Sequence, residues 1–423
     1  MRFRCAHASH PDWTVAVEEC LLLLARQTGA DGYVRTPNLG FLYLTDPLVR
    51  HAGEILSTLK ARTGVSSWVG ASGAGICATG TEYMDEPALA VMLGQFAPGT
   101  FNVFSGHQRP PALSVRTDSG AQAAWTALVH ADPETPDLPE LLPDMAHKVA
   151  SGYLFGGVAS GRHRPVQIAD QVLRGGLSGV VFAEDVALLS RISQGCFPMR
   201  GSRTRTVTAV RENQVLTLDG QPAFEALLQD AGLADAARAN LAAAAGGAAT
   251  TSLRGIDGNT RNALLVLARQ GLFVGLEPNG QDANDGAYRE RLRADYAVRH
   301  VVALDPGAGS IAIGGQAEAG QRLSFCVRNE DAARKDLVRI CSELRDAAQE
   351  SGAQIAGAVY FSCLGRGGHM FGEQGEELRL IAAQLGPVPL VGLYANGEIG
   401  GQKLYGYTGV LSVLTAGAAP PSR

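Results

Sequence analysis

The chain has 423 residues, 52 of them glycine, and only 18% are charged. Glycine is enriched to about 12% without a G-X-Y period, and 46% hydrophobic content stands beside it, so a collagen and a disordered chain are both excluded. A net charge of −5 leaves no basic footprint for nucleic acid. Residues 14–27 pattern as an amphipathic helix, 40–46 as a strand, and Pro47 opens a second helix. A strand running into a glycine-rich loop follows, then strand-like runs at 87–96 and 101–106, and a helix is predicted over 119–130. The four prolines of 132–144 predict a loop with a short helical turn at most.

From residue 151 the chain is glycine-punctuated and strand-rich. The β-branched runs of 206–220 form a hairpin around Glu212-Asn213, and Pro222 opens a helix. Residues 234–252 are alanine-rich, breaking at Gly246-Gly247, and mark a seam between two halves. Beyond it come strands and turns, a long helix over 330–350, and a strand ending at Ser362-Cys363. A glycine loop, a helix, a strand over 388–395 and a last strand over 408–414 complete the order. Successive strands joined by tight turns rule out a purely doubly wound sheet. The prediction is an α/β fold of two related mixed-sheet halves with sheets flanked by helices. Its parts are a helical extension (1–29), an N-terminal domain (30–232), a linker helix (233–252), a C-terminal domain (253–415) and a disordered tail (416–423).

Seven scattered cysteines without a C-x-x-C pair predict reduced thiols and a cytoplasmic setting. The N-terminus lacks the apolar core of a signal peptide, and no apolar stretch is long enough to span a membrane.

Three stretches carry candidate chemistry. In VYFSCLGRGGHMFGEQG (359–375) a strand ends in Ser362 and Cys363, and the loop Gly365, Arg366, Gly367 leads to a helix. Backbone amides and the Arg366 fork there suit a carboxylate or phosphate, and Cys363 is either a reactive thiol or a buried strand end. In LVGLYANGEIGGQKL (390–404), Asn396-Gly397 marks a turn and Glu398 is either a solvated charge or a ligand group. In VGASGAGICATGTE (69–82), Gly70, Ser72 and Glu82 belong to a loop that matches no nucleotide motif, and Gly156-Gly157 is a similar feature. Cys5, His7 and His10 give a C-x-H-x-x-H cluster whose Ser9-His10-Pro11 end reads as loop rather than metal-binding helix. His107, His163 and His369 sit in loops, where a haem ligand and an ordinary surface histidine look alike.

AVYFSCLGRGGHMFG, YANGEIGG, YLFGGVAS and ISQGCFPMRGSRTRTVTAVRENQVLTLDG resemble the signatures of the FIST family over roughly residues 30–415. The resemblance implies a sensory protein that binds a small ligand such as an amino acid and acts through a separate signalling protein such as a histidine kinase. It also implies, for some members, haem-based nitric oxide sensing. The matching positions are Gly70, Ser72, Glu82, Gly156, Gly157, Cys196, Ser362, Cys363, Arg366, Gly367, Asn396, Gly397 and Glu398, and Gly365 completes the ligand-binding set. Ala71 and Ile76 stand where many members carry cysteine and glutamate.

On this reading Arg366 clamps a ligand carboxylate while Glu398 and Asn396 meet an ammonium or hydroxyl. The alternative is a transferase or hydrolase with Cys363 as nucleophile and Glu398 as acid/base. A haem sensor is the third. The expectation includes no required cofactor, no metal, no nucleic acid and no membrane.

Overall fold

The computed structural model describes residues 1–27, 36–106, 114–117, 120–233, 258–277 and 296–417. Residues 28–29 of the expected extension, nearly all of the expected linker helix, the tail beyond 417 and His107 lie outside the described residues. The fold is mixed α/β, and it divides into two compact units, Met1–Ser193 with Arg334–Arg423, and Gln194–Ala333.

The first unit holds three six-stranded sheets. One is built around Leu39–Thr45, which pairs in parallel with Ser67–Gly73 and antiparallel with Ala88–Gln95. Trp13–Arg26 packs on this sheet because Asp12 caps its first turn and Ala16, Val17, Cys20 and Leu24 recur on one face. The second sheet runs Lys403–Tyr405, Glu398–Gly401, Tyr153–Val158, Thr126–Ala131, Leu177–Phe182, Phe101–Gly106. The third runs Leu188–Gln194, Thr408–Ala416, Gln354–Cys363, Leu390–Ala395, Gly75–Ala78, Thr81–Met84. Both therefore take strands from the early and the late parts of the chain, so the two sequence segments share sheets instead of each closing its own.

In the second unit the strands Arg205–Arg211, Gln214–Leu218, Ser310–Ile313, Ala297–Asp305, Leu272–Leu276 and Arg322–Arg328 pair in that order. The last pairs back to the first, closing an antiparallel ring. Closure leaves no edge within the ring.

Three expectations change. The N-terminal segment opens with a strand, Arg2–Ser9, paired along its whole length with Ala88–Gln95, before its helix begins. Residues expected as a helix over 119–130 form the strands Gly120–Ala123 and Thr126–Ala131. The second is held between Tyr153–Val158 and Leu177–Phe182, and that two-sided pairing overrides the helical preference of its alanines. The proline-rich run contains a nine-residue helix, Leu138–Ala146. Proline in its first turn removes only an amide that would lack a partner anyway, and Leu138, Leu142 and Met145 bury a shared face.

Two glycines show what the glycine enrichment does. A Cβ on Gly70 (φ +156°) would lie 1.8 Å from the Leu42 carbonyl oxygen, and one on Gly156 (φ +150°) 1.9 Å from that of Val129. At both positions glycine lets neighbouring strands approach, and the neighbour is backbone rather than an open cavity.

Candidate functional site

The third sheet ends at the site. Ser362 and Cys363 pair with Tyr394 and Ala395 across the parallel ladder, and Tyr394 pairs in turn with Gly75. Glu82 lies opposite Cys77 in the outermost hairpin. The chain then turns through residues 364–367 into the helix Glu376–Leu385, which places Glu377 beneath the strand ends.

Arg366 and Glu377 are both 0% exposed and form an ion pair at 2.8 Å. Glu377 Oε1 also accepts from the Tyr360 hydroxyl at 2.6 Å, and Oε2 accepts from Ser362 Oγ at 2.9 Å and Gly367 N at 3.2 Å. The rest of the guanidinium donates to Ser193 O and Oγ, at 3.4 and 3.2 Å, and lies over the Phe371 ring. Burial alone would lower the Arg366 pKa, but Glu377 and Tyr360 more than reverse it. The guanidinium expected to grip a ligand carboxylate is thus engaged by a carboxylate of its own chain. A buried pair so fully hydrogen-bonded fixes geometry, and removing one partner leaves a charge stranded.

Two further buried carboxyls flank the pair, Glu82 beside Glu377 and Glu398 within the field of Arg366. Glu82 accepts from the Tyr394 hydroxyl, and burial raises its pKa despite that bond, with Glu377 adding repulsion. Glu398 is 0% exposed. Its Oε2 accepts from Thr408 N at 3.2 Å and Thr408 Oγ1 at 2.8 Å, while Oε1 finds no nitrogen or oxygen partner. Burial pushes the Glu398 carboxyl up to about 8, against the opposing pull of Thr408, Arg366 and the neighbouring Cys363 thiol. Burial favours the protonated form at both outer carboxyls, and at Glu398 the pull of Arg366 does not reverse it.

Cys363 stands at the partly exposed edge of this cluster. Burial and then the Glu398 charge push its thiol up to about 12, although the amides of Gly365 and Tyr407 and the Arg366 charge pull the other way. Tyr407 reaches that position through a left-handed backbone (φ +61°), uncommon for a residue other than glycine, asparagine or aspartate. At neutral pH the pair is therefore a thiol beside a carboxyl, which disfavours the thiolate a nucleophile needs.

Family models match along this framework: the FIST N domain over residues 38–221 and the FIST C domain over 253–401. The chain belongs to the FIST family. FIST domains are associated with sensory signal transduction. An uncharacterized protein of Mycobacterium tuberculosis is 29% identical over 436 aligned positions, covering 98% of this FIST chain and 100% of its own length. An uncharacterized protein of Mycobacterium bovis is 28% identical over 400 positions, covering 89% of this chain and 90% of its own. Among the described residues no helix is long and apolar enough to cross a membrane.

Of the sequence-predicted residues, Glu82, Ser362, Cys363, Gly365, Arg366, Gly367 and Glu398 converge on this FIST cluster. Gly157 pairs with Glu398 and Gly156 with Ile399, so they support its floor as backbone. Gly397 accepts from Val158 N at 2.9 Å, and Asn396 is exposed with its amide bonded to Val158 O. Gly70 and Ser72 belong to the first sheet, where Ser72 Oγ accepts from Val166 N at 2.9 Å. Cys196 is buried in the second compact unit. Cys5 and His7 lie on the N-terminal strand with Thr79 and Tyr83 as partners, and His10 accepts from Asp12 N. His369 is exposed.

Sequence reasoning missed Glu377, Tyr360, Tyr394 and Thr408. One signal was available for Glu377: it shares the buried stripe of its helix with Leu378 and Ile381, and a carboxylate on an apolar stripe implies an interior partner.

Proposed function

We propose that this FIST protein is a receptor for a small amine- or hydroxyl-bearing molecule, an amino acid or similar metabolite, and that the ligand enters beside Cys363 to meet Glu398. The observation that carries the reading is Glu398 Oε1, a buried carboxyl oxygen that meets no nitrogen or oxygen and has only the weakly donating Cys363 thiol beside its carboxyl. Buried polar atoms in folded proteins are nearly always paired, and an exception marks a place where a group is expected to bind. Glu398 replaces Arg366 as the principal contact, since Arg366 is committed to Glu377. An amine ligand needs the ionised carboxylate, so binding expels the Glu398 proton and affinity rises with pH toward 8. The family's association with sensory transduction supports passing the bound state to a separate signalling protein, with a histidine kinase as the proposed class.

The test is thermal stabilisation by a panel of amino acids and amines at pH 6.5 and 8.5, with Glu398→Gln as control. The expected result is a compound that stabilises the protein more at the higher pH and not in the variant. A panel without effect at millimolar concentration, or equal stabilisation of the variant, refutes the reading.

A further inference from the structure

A cleft of about 470 Å³ opens in the first unit, away from the residues of the Cys363–Glu398 cluster. Its wall includes Asp46 and Arg50 of the turn Asp46–His51, His163 and Arg164 of the loop between the strands Tyr153–Val158 and Gln167–Ala169, and Arg174 beyond the strand Gln171–Leu173. Arg50, Arg164 and Arg174 are exposed, and among the described residues none of them is in an ion pair. The one carboxylate in the wall, Asp46, is buried with its Oδ2 accepting from the Arg162 amide, and a single negative charge against three guanidiniums leaves the wall net positive. A net positive cleft in a chain of net charge −5 is a local concentration of one sign, which focuses the field on an anion.

The basic residues are also held in place. The 161–166 loop is tied at one end by Asp46 to Arg162 N and at the other by Ser72 Oγ to Val166 N, at 2.9 Å. Arg162 adds an ion pair to Asp85 at 2.8 Å. Next to Arg174, Gly175 N donates to the buried Asp132 at 2.7 Å, fixing the turn from which that side chain projects. Arginines on a fixed backbone lose less freedom on gripping an anion than arginines on a loose loop. Ser72, read from the sequence as a ligand contact, acts here as a brace for the loop that carries His163 and Arg164.

We propose that this cleft binds a small, multiply charged phosphate compound, gripped by Arg164 and Arg174 with Arg50 and His163 completing the charge. The volume lies within the range of small-molecule sites, and guanidinium is the group suited to bidentate contact with phosphate oxygens. The site is independent of the Cys363–Glu398 mouth and gives the protein a second input.

The experiment titrates inorganic pyrophosphate into the full chain by calorimetry, with sodium chloride at matched ionic strength as the blank. Saturable binding is expected, weakened at least about tenfold by Arg164→Ala and again by Arg174→Ala, both exposed positions whose loss leaves the fold intact. Glu398→Gln is expected to bind pyrophosphate as the wild type does, which separates this site from the amine site. Absence of heat at millimolar pyrophosphate, an unchanged affinity in the double arginine variant, or loss of binding in Glu398→Gln overturns the proposal.

Discussion

Glu398→Gln isolates the buried carboxyl on which the site turns. Burial raises that carboxyl from an ordinary value near 4.5 to about 8, so the folded chain keeps a proton that the unfolded chain has released. The stability tied to this proton is complete below the unfolded value and is lost as pH rises through the folded one. At about 1.4 kcal/mol for each pH unit, the loss approaches about 5 kcal/mol by pH 8. Glutamine keeps a carbonyl oxygen to accept from Thr408 N and Oγ1, and it carries no charge to desolvate. The variant therefore lacks this contribution to the pH slope. Urea denaturation of both proteins between pH 5.5 and 8 reads the difference directly. The variant is expected to gain on the wild type by about 3 kcal/mol across that window, ending as the more stable protein. Curves that stay parallel within about 0.5 kcal/mol mean that Glu398 is ionised in the fold, and the electrostatic reasoning fails.

Glu377→Gln removes the partner of a fully buried guanidinium and is expected to cost about 3–5 kcal/mol in denaturant unfolding. The double change Arg366→Met with Glu377→Leu should recover part of that loss, and a single variant within about 1 kcal/mol of wild type contradicts the ion-pair assignment. Gly156→Ala drives a Cβ into the Val129 carbonyl and should cost on the order of 3 kcal/mol. Gly53→Ala, on a helix with open space around it, should instead stabilise by about 0.5–1 kcal/mol. The same denaturant assay reads both, and equal effects at the two glycines would remove the close-approach explanation.

Elements whose periodicity or turn chemistry is local were legible in the sequence. The helix Glu330–Glu350 and the hairpin turning at Glu212-Asn213 with left-handed Glu212 match their expectations. The strand Thr126–Ala131 was not legible, because its alanines carry no β preference and only its two partner strands make it one. Arg2–Ser9 was hidden for a similar reason: its partner lies some eighty residues away. At the site, the sequence singled out Arg366, Cys363 and Glu398 through their glycine-rich surroundings but not what they face. Arg366 looked available for a ligand because its partner, Glu377, sits eleven residues on in what reads as an ordinary helix. Glycines at 70 and 156 looked like ligand-approach points, whereas the backbone they admit is that of the next strand.

The claim that a ligand enters beside Cys363 is tested most directly by the alkylation rate of that thiol. Iodoacetamide labelling, followed by peptide mass spectrometry, compares Cys363 with the partly exposed Cys5 in the presence and absence of a stabilising amine. A ligand lodged against Glu398 should slow labelling of Cys363 several-fold and leave Cys5 unchanged. A compound that stabilises the protein while Cys363 reacts at its original rate binds elsewhere, and the proposed site is then wrong.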